Sequence, residues 1–157
     1  MHKIIFLLLT LALAFGCNEP SFKTIGSIQQ LDPSLAQITD TTAPVEIIAE
    51  GFNWTEGPLW VESEKMLLFS DIPPNKIFKW TETKGTELYL TPSGYTGATP
   101  RTGEPGSNGL LLNKEGKLVM CQHGDRRMAM MDAPLNAPKA LFVSLADNYK
   151  GKKFNSP

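Results

Sequence analysis

The sequence predicts an all-β chain built from repeated four-stranded antiparallel meanders. Three observations predict it. From residue 56 onward, short apolar runs alternate with polar turns. Glycine (13) and proline (12) together make about one residue in six, a density of turn formers that argues against a helix bundle. The pattern that begins at Gly57 also returns 52 residues later. The chain has 157 residues, enough for one ordinary domain. Its 15 basic and 16 acidic residues leave a net charge of −1, so it has no electrostatic footprint for nucleic acid.

The amino-terminal segment reads as an export signal. Met1-His2-Lys3 is a short basic start, and residues 4–16 are almost entirely apolar. That run is too short to span a bilayer and has the length of a signal-peptide core. It ends at Gly16-Cys17, followed by the polar Asn18-Glu19-Pro20. This resembles a bacterial lipoprotein signal, in which Cys17 becomes the lipidated first residue. The alternative is an ordinary secretory signal that happens to contain a cysteine. The expectation is a bacterial envelope protein, lipid-anchored or periplasmic, with residues 1–16 as signal and 17–43 as tether and approach segment. Cys121 lies in the apolar run Leu118-Val119-Met120 and reads as a small buried hydrophobe. With Cys17 lipidated it has no disulfide partner.

Residues 44–157 carry the strands. Val45-Glu46-Ile47-Ile48-Ala49 is the first strand-like run. Gly57 to Val61 and Met66 to Ser70 flank a polar turn, and Ile72-Pro73-Pro74-Asn75 turns the chain again. Lys76-Ile77-Phe78-Lys79-Trp80 alternates with period two, as a half-buried strand should. Glu87-Leu88-Tyr89-Leu90 follows the Lys84-Gly85 turn. An ungapped shift of 52 lays Gly57 on Gly109, Met66-Leu67-Leu68 on Leu118-Val119-Met120, Asp71 on His123 and Ile77 on Ala129, and Leu141-Phe142-Val143 supplies a fourth strand. Four-stranded units at such a period are the signature of β-propeller blades, which stack around a central channel. About two blades are present, too few to close a ring. Residues 91–107 form a long glycine- and proline-rich joint between the repeats, placed to serve as a pocket rim.

In a propeller the first strand of each blade lines the channel. Glu56 opens the first repeat, and Asn108 opens the second at the place the 52-residue shift makes equivalent. A carboxylate and an amide carbonyl converging on one axis are hard oxygen ligands, suited to Ca²⁺ more than to zinc. On spacing alone, Glu-Gly-Pro is equally a turn and Asn-Gly a hairpin dipeptide.

The same residues carry a family resemblance. Residues 49–60 (Ala49 to Trp60), Leu68-Phe69-Ser70-Asp71-Ile72-Pro73, Ser107-Asn108-Gly109-Leu110, residues 121–127 and residues 149–157, in that order and spacing, resemble the SMP-30/gluconolactonase family. Gly26-Ser27-Ile28-Gln29-Gln30-Leu31-Asp32-Pro33 is similar to its bacterial secreted branch. The resemblance implies a six-bladed propeller that opens a sugar lactone with calcium, monomeric when full length. It implies that Glu56 is a calcium ligand, and that further ligands follow the point where this sequence stops, at Asn155-Ser156-Pro157. The 157-residue chain is then expected to be an inactive amino-terminal part of a larger enzyme.

Asn108 and His123 match a signature of that branch. Asn108 either hydrogen-bonds substrate or holds a loop. His123 either polarises or deprotonates a group in the pocket, or is a strand-end histidine bonded to backbone. Arg127, with Arg126, either meets an anionic sugar acid or lies on a solvated outer turn. Asp71 is either a rim residue or a turn aspartate. The rival reading is an envelope-anchored propeller that binds a sugar or a protein without catalysis.

Overall fold

The computed structural model of the chain describes residues 22–155. The signal segment, Cys17, Ser156 and Pro157 lie outside the described residues. The described residues fall into two compact units that divide between Ile47 and Ile48. In the first unit, β1 (Lys23–Thr24) pairs antiparallel with β2 (Glu46–Ile47). Between them runs a short 3₁₀ helix, Pro33–Gln37, capped by Asp32, whose carboxylate accepts from Ser34 N–H at 2.8 Å. Of the strand-like run 45–49, Glu46–Ile47 forms β2, and the second unit begins at Ile48.

The second unit holds two four-stranded antiparallel meanders. In the first, β3 (Thr55–Val61), β4 (Met66–Asp71), β5 (Lys76–Thr81) and β6 (Gly85–Leu90) lie in chain order. In the second, β7 (Ser107–Leu112), β8 (Leu118–Gln122), β9 (Arg127–Met131) and β10 (Phe142–Ala146) do the same. A small hairpin, β11 (Asn148–Tyr149) with β12 (Lys152–Lys153), follows. Its turn residues Lys150 and Gly151 both have positive φ, as a tight hairpin turn requires. Among the described residues, no helix is long and apolar enough to cross a membrane.

The core lies between the two meanders. Met66, Leu68 and Ile77 share one face of the first and meet Leu118, Met120 and Met131 of the second. Burying six such side chains stabilises the pairing by about 1.5–3 kcal/mol each relative to exposure. Tyr89 closes one side, and its hydroxyl donates to the Leu135 carbonyl at 2.9 Å. The other face of the first meander carries an aromatic cluster of Phe52, Phe69 and Phe78, with ring centroids 4.9–5.9 Å apart. The other face of the second carries Leu111, Val119, Met130 and Val143, each the direct cross-strand partner of the next. In this row Leu111 and Val143 are exposed.

The repeat is real, but it is not ungapped. Leu59 to Val61 correspond to Leu110 to Leu112 by their partners in β4 and β8, an offset of 51. The turn after β7 (113–117) is one residue longer than the turn after β3 (62–65), so Met66 and Leu68 correspond to Leu118 and Met120 at an offset of 52. Because β8 is one residue shorter than β4, the next turns match at 51 again: Asn75 and Arg126 hold the same left-handed conformation, φ 60° and 57°. Both inner strands carry a bulge, between Glu56 and Leu59 and between Ser107 and Leu110. By pairing, the counterpart of Glu56 is Ser107, since Glu56 faces Ser70 and Ser107 faces Gln122. Asn108 is the counterpart of Gly57, one place along from where the ungapped shift puts it.

Candidate functional site

Strand pairing gathers the chemistry-bearing residues at one end of the meanders. Thr55, Asp71 and Lys76 form the end row of the first, and Ser107, Gln122 and Arg127 that of the second. Glu56, Asn108, the turns at 72–75 and 123–126, and the joint 91–106 therefore share that end.

Glu56 is the exposed second residue of β3 and lines a recess of about 280 Å³ with Phe52, Pro58, Leu67 and Phe69. Its bulge brings Gly57 against the second meander. A Cβ on Gly57 would stand 2.5 Å from the carbonyl oxygen of Asn108, and its φ of +58° suits only glycine without strain. The two candidate residues thus lie on adjoining stretches of backbone. Asn108 is half-buried, and its side-chain Oδ1 is fully buried with no hydrogen-bond partner. A buried acceptor left unpaired costs about 1–3 kcal/mol, so it is a place where a donor or a cation would be welcome. The Glu56 charge also reaches across to β8: burial, then Glu56, pushes the Cys121 thiol above its ordinary range. Cys121 is half-buried, with its sulfur 3.3 Å from that of Met128.

His123 opens the turn after β8 and is partly buried. Burial lowers its pKa, and Arg126 and Arg101 lower it further against an opposing pull from Glu104. The imidazole is therefore neutral at pH 7. Arg127 does not lie on a solvated turn. Its Nε donates to Gln122 Oε1 at 2.6 Å and its Nη2 to Asp125 Oδ2 at 3.1 Å. Arg126 sits in the turn itself, partly buried. Asp71 is not a rim residue either: it is buried, and its Oδ1 accepts from the backbone N–H groups of Trp54 (3.0 Å) and Asn53 (3.2 Å).

Several residues at this end escaped the sequence reading. Asn75 organises the long joint: its Oδ1 accepts from the N–H groups of Gly94 (2.7 Å), Ser93 (3.0 Å) and Tyr95 (3.2 Å). Its own Nδ2 donates to the Tyr95 carbonyl at 2.8 Å. Asp125 accepts from Thr96 N–H and Oγ1, and Gln122 Nε2 donates to the Ser93 carbonyl. The joint is therefore pinned to both meanders. Ser70 and Ser107, both fully buried, touch at 2.8 Å between them. The Pro-Pro-Asn turn was the one available signal, since asparagine tolerates the left-handed conformation.

Comparison with known proteins agrees with the residue pattern. Residues 54–156 match the family described as the SMP-30/gluconolactonase/LRE-like region. The chain is 41% identical over 142 residues to a gluconolactonase of Zymomonas mobilis, covering 89% of this chain and 39% of that protein. A solved structure carrying a gluconolactonase designation superposes with a TM-score of 0.63 at 31% identity, over 81% of this chain and 39% of that one. A gluconolactonase from Xanthomonas campestris superposes with the same TM-score at 23% identity, over 88% of this chain and 42% of that one, a likeness of fold alone. The chain thus spans about two fifths of the length of these relatives. It belongs to the SMP-30/gluconolactonase/LRE-like family.

Proposed function

We propose that this chain forms the first two blades of a six-bladed propeller whose full-length form hydrolyses a sugar lactone with calcium. The family membership supports the reaction class. The observation that carries the site is the abutment of Gly57, next to Glu56, on the backbone of Asn108, whose side-chain oxygen is buried without a partner.

The donor present fits calcium. A carboxylate is a hard oxygen ligand, and calcium takes about 6–8 such oxygens. Glu56 supplies one part of that shell, and among the described residues no group of three or more acidic, histidine or cysteine side chains gathers to hold a metal. Glu56 would hold the ion, which when bound supplies Lewis-acid polarisation of the lactone carbonyl. Asn108 Oδ1 accepts a hydrogen bond from a sugar hydroxyl. His123, in the turn after β8, stands at the same end of the meanders as Glu56 and Asn108 and polarises a group of the substrate there. Arg127, already bonded to Gln122 and Asp125, holds the turn that presents His123. The protein works as an exported monomer at the bacterial envelope, anchored through Cys17, and the 157-residue chain alone is inactive.

Glu56→Gln in the full-length protein tests the assignment. It should lose calcium affinity and lactone turnover together, read by calorimetric titration and by acid release from gluconolactone. Normal values of both would overturn it.

A further inference from the structure

We propose that Ser70-Asp71, the last two residues of β4, form the positioning element of the site and hold both Glu56 and Asn108 in place through their backbones. This rests on the calcium-lactonase reading above.

The bulges create the need for it. Glu56 lies beyond the bulge in β3, and Asn108 lies within the bulge in β7. A bulge breaks the ladder locally, so the pairing of Leu59 to Val61 and of Leu110 to Leu112 does not carry through to these residues, and Glu56 depends on its own pairing with Ser70. Ser70 and Asp71 supply two separate links there. Asp71 takes the N–H groups of Trp54 and Asn53, and Ile72 N–H donates to the Trp54 carbonyl at 3.1 Å. The chain just ahead of Glu56 is therefore held at three points, two of them charge-assisted.

Ser70 acts on the other side. Its hydroxyl donates to the Asn108 carbonyl at 2.9 Å. A serine hydroxyl has a single proton to give, so in the 2.8 Å contact with Ser107 the donor is the Ser107 hydroxyl. Ser107 N–H in turn donates to Ser93 Oγ at 3.1 Å. The direction of every bond in the chain is thereby fixed. Ser70 is also the cross-strand partner of Glu56. One dipeptide thus grips the backbone leading into the carboxylate and the backbone of the amide.

The test uses the full-length protein, with calcium affinity from calorimetric titration and kcat and KM for gluconolactone at saturating calcium. Asp71→Ala should weaken calcium binding about tenfold, the loss typical of an outer-shell partner. Asp71→Asn keeps an acceptor for Trp54 N–H and should stay within about threefold. Ser70→Ala should raise KM about fivefold, the worth of one hydrogen bond, with calcium affinity unchanged. A merely structural role would lower the Tm of these variants and leave affinity and KM of the folded protein at wild-type values, and that result overturns the proposal. If Asp71→Ala does not fold, Ser70→Ala decides: an unchanged KM overturns it. Glu56→Gln runs alongside. Affinity and turnover retained there sink the calcium reading itself; lost there, with Asp71→Ala and Ser70→Ala both behaving as wild type, only the positioning role falls.

Discussion

Gly57 packs against the backbone of Asn108, where any Cβ at residue 57 would stand 2.5 Å from the Asn108 carbonyl oxygen. A side chain at Gly57 faces both a left-handed φ and the Asn108 carbonyl. Gly57→Ala should destabilise the protein by more than about 2 kcal/mol, measured by urea unfolding. Gly116 has φ +74° with open space around it, so Gly116→Ala should cost only the conformational part, about 1 kcal/mol. Equal losses at the two positions would mean that the close contact carries no weight.

Asn75 presents one side-chain oxygen to three consecutive backbone N–H groups of the joint between the meanders. Asn75→Ala leaves the Gly94 and Tyr95 donors unpaired, while Ser93 N–H keeps the backbone carbonyl of residue 75 at 3.1 Å, and should cost about 3 kcal/mol. Hydrogen exchange should quicken at Gly94 and Tyr95, while amides in β4 and β5 change less. Protection unchanged at those two would contradict the role.

Arg127 uses two different nitrogens for Gln122 and Asp125, and the pair with Asp125 is mostly buried, the side chains being 22% and 14% exposed. A lysine cannot reproduce that fork. Arg127→Lys should therefore destabilise nearly as much as Arg127→Ala, by about 2 kcal/mol. Near-wild-type stability of the lysine variant would show that charge alone suffices.

His123 gives the protein an acid sensitivity. Its folded pKa is depressed, first by burial and then by Arg126 and Arg101. The unfolded chain takes up the proton first, near the ordinary value of 6.5, so stability is complete above that pH and falls as the pH drops through the folded value. Unfolding at about pH 7.5 and about pH 5.5 should show a loss in the wild type that His123→Gln reduces. An identical slope in the two proteins would remove His123 from the account.

Most strands were legible because alternation and turn residues are local properties. Lys76 to Trp80 alternates in sequence and forms β5 across that span. Position across the sheets was harder to read. An ungapped overlay counts residues, whereas a ladder counts partners; the two bulges are equal, but the turn after β7 is one residue longer than the turn after β3. The overlay therefore laid Gly57 on Gly109 and Glu56 on Asn108, while the hydrogen bonds match Gly57 with Asn108 and Glu56 with Ser107. The partners of Asp71 and Arg127 were hidden for a related reason. Each is a charged residue beside a turn, and only the returning backbone at Trp54 and the side chain of Gln122 show that both are committed inside.

The row of Leu111, Val119, Met130 and Val143 crosses the whole second meander and ends at both margins in exposed aliphatic carbon. Anyone handling this chain by itself meets that greasy stripe first. A dye that brightens in oily surroundings should light up on it, and scattered light should climb with concentration unless a charge is planted at Val143.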